Sequence, residues 1–187
     1  MAVLCFDTET TDLPDYALPP GRHQPHVVQL AAVLVDGQAE RSLATLIRPD
    51  GWTIHPDAQR VHGISMTRAR AEGVPIAQAI ASFDELLAKA NLAVAHNVKF
   101  DRLLLDSEYV RLGRRPCWPR TFCTMLTCTD IIRLPGYRGQ YKWPTLAEAY
   151  SYFYHRPLAD AHDALADVRA CLAIFQELSR RGLTPQG

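Results

Sequence analysis

The chain has 187 residues, 48% of them hydrophobic, and its 20 lysines and arginines are balanced by 20 acids for a formal net charge of zero. That length suits one domain with a sizeable core, and the balanced charge excludes a broad basic surface as the main grip on nucleic acid, while leaving room for phosphates held locally through metal ions. No apolar run approaches the ~20 residues of a membrane helix, the start lacks signal-peptide features, and five cysteines without a Cys-x-x-Cys pair read as reduced thiols of a cytoplasmic protein with no membrane contact and no structural zinc.

The first run, "AVLCFDTE", is nearly all apolar until Asp7, which suits a central strand covered on both faces. "HVVQLAAVLVDG" and "ERSLATLIRPDG" follow and end in turn material, so an antiparallel meander of three strands is expected. Between the first two, "TTDLPDYALPPGRHQP" holds too many prolines for regular structure and reads as a loop over the strand ends. "PDAQRVHGIS" predicts a short helix and turn, and "PIAQAIASFDELLAKA" an amphipathic helix opened by Pro75. "LAVAHN" is a second buried strand, followed by a helix over "VKFDRLLLDSEYVRLG" that Gly113 closes. A strand near "RTFCTM" and short helices at "MLTCTDII" and "TLAEAYSYFYH" precede a last long helix, "AHDALADVRACLAIFQELSRRG", stopped by Gly182. Strands first, then strand–helix alternation, give an α/β fold with a mixed sheet flanked by helices. Residues 1–182 read as a single domain, and 183–187 as a short frayed tail.

Three acidic clusters stand out. Asp7 and Glu9 lie two apart on a strand and so aim at one side, roughly 6–7 Å apart. Two like charges at the end of a buried strand are opposed by repulsion and desolvation unless a cation sits there, and a hard divalent ion fits two carboxylates. In "AHNVKFD", Asn97 follows a strand and can cap the next helix, placing Asp101 near the sheet edge where α/β proteins gather ligands; His96 reads as an ordinary half-buried histidine. In "ADAHDALAD", Asp163 and Asp167 share a helix face. His162 and Asp167 are ~140° apart in a regular helix, so they meet only if His162 precedes the helix. Asp160 is a possible cap that leaves the helix start open by a turn, and geometry alone leaves Asp163 and Asp167 as rivals.

"DTETTDL", "AHNVKFD" and "HDALAD" fall in the order and spacing of the three motifs of the DEDDh 3′→5′ exonucleases, which this chain resembles from residue 3 to about 175. That group includes the proofreading epsilon subunit of bacterial DNA polymerase III, RNase T and oligoribonuclease, and "RVHGIS" resembles a segment of its epsilon-type branch. The resemblance implies a ribonuclease H-like fold with a five-stranded mixed sheet. It implies that Asp7, Glu9, Asp101 and Asp167 hold two divalent cations, Mg²⁺ or Mn²⁺, and that Asp167, five after His162, takes the role over Asp163. His162 would be the general base, and Thr10, Leu13, His62, Asn97 and Phe100 would surround the terminal nucleotide, with core packing the stronger expectation for Phe100. The implied activity is hydrolysis from the 3′ end of single-stranded or frayed DNA, releasing nucleoside 5′-monophosphates, with a DNA polymerase as a possible partner. The rival readings are an exoribonuclease of the RNase T or oligoribonuclease type, and a catalytically silent adaptor.

Overall fold

A computed structural model describes residues 1–159 and 163–185. Five strands form one sheet in the order β3-β2-β1-β4-β5: β1 (Val3–Thr10), β2 (Val27–Asp36), β3 (Ala39–Leu46), β4 (Leu92–Ala95) and β5 (Arg120–Cys123). The three opening strands pair antiparallel as the meander predicts, while β4 and β5 run parallel to β1. The sheet is therefore mixed, with β1 at its centre.

Alternation along β1 sorts its side chains between two layers. Leu4 and Phe6 enter a core with Ile80 and Phe83 of α3 (Ile76–Leu87) and Leu104 and Leu105 of α4 (Val98–Arg111). Val3 and Cys5 face the other way, against Ala164, Val168 and Cys171 of α7 (Ala164–Arg180). Helices on both sides explain why β1, β2 and β4 read as almost unbroken apolar runs.

Smaller helices fill the edges: α1 (Pro56–His62), α2 (Met66–Glu72), α5 (Thr124–Ile132) and α6 (Leu146–Tyr154). The sequence reading foresaw a single helix and turn where α1 and α2 lie. Gly63 ends α1, and the Ser65 side chain accepts from the Arg68 N–H to start a second helix two residues later. Gly113 and Gly182 close α4 and α7 in the left-handed region, at φ +67° and +70°. All five cysteines are free thiols. Among the described residues no helix is long and apolar enough to cross a membrane.

The proline-rich segment after β1 is irregular, as expected, but firmly tied down. The buried Gln24 amide donates to the Asp15 and Leu18 carbonyls (2.7 and 3.1 Å). Buried Glu108 of α4 accepts from the Val27 N–H (3.0 Å) and pairs with Arg111 (2.8 Å). The loop that carries Leu13 is thus fixed at its far end to α4.

Candidate active site

The site begins where β1 outruns its parallel neighbour. β4 pairs with β1 only from Val3 to Cys5, and its chain then turns away into α4. Beyond Cys5 the strand keeps β2 on one side only, and its register shifts between Glu9 and Thr10. Such irregularities bend a strand and re-aim its side chains. Asp7 and Glu9 lie on this stretch, both half-buried and on the α7 side.

Asp167, buried in the first turn of α7, meets them there. One carboxylate oxygen from each of Asp7, Glu9 and Asp167 lies within 4.8 Å of the others. Asp101 is the fourth residue of α4 and 2% exposed. It approaches the same strand end from the opposite layer and is not part of that three-oxygen cluster. Its Oδ1 instead accepts from the Thr8 N–H (3.0 Å) and the Thr8 hydroxyl (2.9 Å). Asp101 thereby satisfies a backbone donor that the missing β4 pairing would have left bare.

The electrostatics carry the same message. Burial, then the charges of Asp101, Glu9 and Asp167, push the Asp7 carboxyl well above the usual range. Burial, then Asp167 and Asp101, push Glu9 up to about 8. Burial raises Asp101 to about 7 against the opposing pull of the Thr8 hydrogen bonds. Carboxylates crowded this way resist ionising together unless positive charge joins them. The donors are all hard oxygens, so the set fits Mg²⁺ or Mn²⁺.

Of the two rival acids of the third cluster, Asp167 and not Asp163 stands in the three-oxygen group. The regular helix starts at Ala164 with Asp163 as its cap, in place of the possible cap Asp160; the Asp163 side chain accepts from the Leu165 and Ala166 N–H groups (3.2 and 3.1 Å). Asp163 therefore does not share a helix face with Asp167. His162 and Asp160 lie outside the described residues.

Beside the acids, a cavity of about 270 Å³ is lined by Glu9, Thr10, Leu13, His62 and Phe100, together with Asp12, Asp57, Ala58 and Val61. Its volume is close to the lower end for small-ligand sites, roughly 300–1,000 Å³. Leu13 is 79% exposed at its rim. The buried His62 accepts from the Ile64 N–H through Nδ1 (3.0 Å), and Phe100 both lines the cavity and packs on the core. Asp57, Ala58 and Val61 were not foreseen. They belong to α1, the helix that also carries His62.

Asn97 departs from expectation. It holds the position before α4 at φ +80°, with no side-chain bond to the helix. A left-handed residue turns its side chain away from the helix N–H groups, and Asn is one of the few types to tolerate that backbone. Asn97 is not among the cavity walls; its side chain faces the Tyr16 hydroxyl. His96 is structural, held between the Thr124 hydroxyl (2.9 Å) and the Pro144 carbonyl (3.0 Å), and burial lowers its pKa.

Against known proteins, a family model described as an exonuclease, RNase_T, matches residues 4–175. The comparison with curated proteins gives no match. Among solved structures, E. coli exonuclease I in complex with a dT13 oligonucleotide superposes at a TM-score of 0.78 and 22% identity, covering 96% of this chain and 41% of that one. The zinc-bound form of the E. coli exonuclease I complex with single-stranded DNA gives 0.78, 22%, 96% and 41%. The E. coli enzyme with a dA16 oligonucleotide gives 0.75, 20%, 96% and 41%. These likenesses show the ribonuclease H-like exonuclease fold, and the chain spans about two fifths of the length of the exonuclease I chains it matches.

Proposed function

Because this chain belongs to the RNase_T exonuclease family, whose model spans nearly all of it, we propose that it is a metal-dependent 3′→5′ exonuclease acting on single-stranded or frayed DNA and releasing nucleoside 5′-monophosphates. The observation that carries the proposal is the meeting of Asp7, Glu9 and Asp167 within 4.8 Å. These three carboxylates would hold one of two divalent cations, and Asp7 with Asp101 the other. When bound, the ions supply an activated nucleophile at neutral pH and neutralise charge on the phosphate and the leaving 3′ oxygen.

The chain's own residues do the rest. Leu13 and Phe100 offer apolar surface to the terminal base, and Thr10 and His62 line the same cavity. Burial beside this wall keeps the terminal nucleotide in line with the acids and excludes bulk water from it. His162 is the general base: five residues before Asp167 and two before the helix start, with an imidazole whose ordinary pKa of about 6.5 leaves it free to accept the water proton at pH 7. The choice of DNA draws on the oligonucleotides held by the similar folds.

The test is a gel of a 5′-labelled single strand with Mn²⁺ or with EDTA. A single-nucleotide ladder that shortens from the 3′ end only with metal is expected. Absence of any ladder with metal overturns the proposal, and matched RNA degraded much faster than DNA transfers it to RNA.

A further inference from the structure

Residues 133–143, "RLPGYRGQYKW", contain Arg133, Arg138 and Lys142 and no acid, in a chain whose charges balance. The same segment exposes three large rings: Tyr137 at 78%, Tyr141 at 47% and Trp143 at 62%. Single exposed hydrophobics are ordinary, but aromatics and cations alternating along one acid-free loop are the composition of a stacking platform for bases and phosphates.

The loop is built rather than slack. The Lys142 N–H donates to the Leu134 carbonyl (2.9 Å), and Pro135 bridges Tyr141. Its two limbs cross so closely that a Cβ on Gly136 would lie 2.5 Å from the Gln140 carbonyl oxygen. Arg138 is held at φ +52°, a backbone that non-glycine residues rarely adopt, with its guanidinium 5.0 Å from the centre of the Tyr137 ring. Arg133 sits likewise 5.7 Å from the Tyr141 ring. Lys142 contacts Glu148 (2.6 Å) in an exposed pair, an interaction weak enough for a phosphate to replace.

Its foot is linked to α7 through side-chain contacts. The Pro144 carbonyl accepts from His96 Nε2 (3.0 Å), and His96 Nδ1 meets the Thr124 hydroxyl (2.9 Å). Thr124 in turn touches Cys171 (3.7 Å), one turn beyond Asp167 on α7. A short relay of contacts thus joins the foot of the loop to the helix that carries an active-site carboxylate.

We propose that the loop 133–143 is a binding site for single-stranded nucleic acid, with bases stacked on Tyr137, Tyr141 and Trp143 and phosphates against Arg133, Arg138 and Lys142. It holds the strand upstream of the 3′ end that enters the carboxylate site, and only this polarity rests on the exonuclease reading. A protein partner also favours Tyr, Trp and Arg, but the absence of acids and the ring–cation alternation favour a polyanion with flat bases.

The test is fluorescence anisotropy of a fluorescein-labelled oligo-dT of about twenty nucleotides, longer than a typical single-strand site, in EDTA so that no turnover is needed. The double variant Tyr137→Ala/Trp143→Ala is expected to bind about tenfold more weakly or worse. Arg138→Glu is expected to weaken binding and flatten its salt dependence. Melting temperatures equal to wild type confirm that the variants are folded. Oligo-dT is also expected to quench tryptophan emission in the wild type and not in Trp143→Phe. Folded variants that bind like the wild type, a quench undiminished in Trp143→Phe, or a wild type that does not bind oligo-dT each overturn the proposal and leave the patch to a protein. A failed exonuclease reading shows in the cleavage gel and leaves this binding result standing.

Discussion

Asp101 Oδ1 accepts two hydrogen bonds from Thr8, one from the backbone N–H (3.0 Å) and one from the hydroxyl (2.9 Å). Thr8 separates the two acids of β1, and its side chain points to the α4 layer while theirs point to α7. The middle residue of Asp-Thr-Glu therefore ties α4 to the strand end and favours ionised Asp101 against the burial that raises it to about 7. Thr8→Val keeps the shape and loses one donor. It is expected to shift the Mn²⁺ concentration for half-maximal cleavage upward by about tenfold, the lower end for groups that orient metal ligands. Thr8→Ser should restore most of the loss, and an unshifted Mn²⁺ curve for Thr8→Val would show that the tether is irrelevant to the site.

Asp7 stands at the centre of the repulsion, with Asp101, Glu9 and Asp167 all acting on it. Asp7→Ala and Asp167→Ala are expected to reduce cleavage to background. Both should leave the metal-free protein as stable as the wild type or more so, since each removes one of several crowded like charges. Mn²⁺ should raise the melting temperature of the wild type much more than that of either variant. Near-wild-type cleavage by either one contradicts the assignment.

The raised carboxyls also fix the pH dependence of the metal-free protein. Glu9 keeps its proton in the folded state up to about 8, whereas its ordinary value is 4.5; Asp101 keeps its own to about 7 against an ordinary 3.8. Between those limits the folded state binds more protons than the unfolded one, so stability falls as pH rises, by about 1.4 kcal/mol per pH unit at most for each such group. The contribution is complete below the ordinary values and lost on passing the raised ones. In EDTA the melting temperature is expected to drop between pH 5 and pH 8 by several degrees, given about 2–4 °C per kcal/mol for a chain of this size. Saturating Mn²⁺ should flatten or reverse that slope, and a flat curve in EDTA would mean that the carboxyls are not crowded.

For His162 the expectation comes from its place in the sequence. His162→Ala should lower the cleavage rate by about 10²–10⁴-fold, the usual worth of a general base, while the Mn²⁺-induced rise in melting temperature persists. A variant with wild-type rates across neutral pH removes His162 from the chemistry.

How far the residues announced all this depended on the kind of signal. β1 and β4 could be read because both faces are covered, which leaves continuous apolar runs, and the acids that interrupt β1 at Asp7 mark the point where it leaves β4. The helix α3 showed its buried face in the spacing of Ile80, Phe83 and Leu87. The second helix at Met66 was hidden because Gly63 and Ser65 stand too close together to look like a stop and a start. Nothing local shows that Thr8 would serve Asp101, since the partners are 93 residues apart and meet only because β4 ends early. The walls from Asp57 to Val61 were equally unreadable, because the cavity that α1 shares with the end of β1 is a tertiary fact. The loop at 133–143 has neither helical nor strand period, so its aromatics carried no structural signal.

The last expectation separates the two acids of the third cluster. Asp163 is exposed, and its carboxylate is spent on the Leu165 and Ala166 N–H groups at the start of α7. Asp167 is buried, a turn further in, and turned towards Asp7 and Glu9. Asp163→Ala should therefore cost about 1 kcal/mol as a lost helix cap, or a fall of about 2–4 °C in melting temperature, with cleavage kept within a few-fold of wild type. Asp163→Asn, which still accepts from the same N–H groups, should recover the stability. Because the Asp163 charge also contributes, as the smallest cause, to the raised Glu9 carboxyl, both variants should ease Glu9 ionisation slightly and so lower the Mn²⁺ requirement. If Asp163→Ala instead folds normally and loses cleavage while Asp167→Ala retains it, the two acids have exchanged roles and the cap geometry at the start of α7 does not describe the working enzyme.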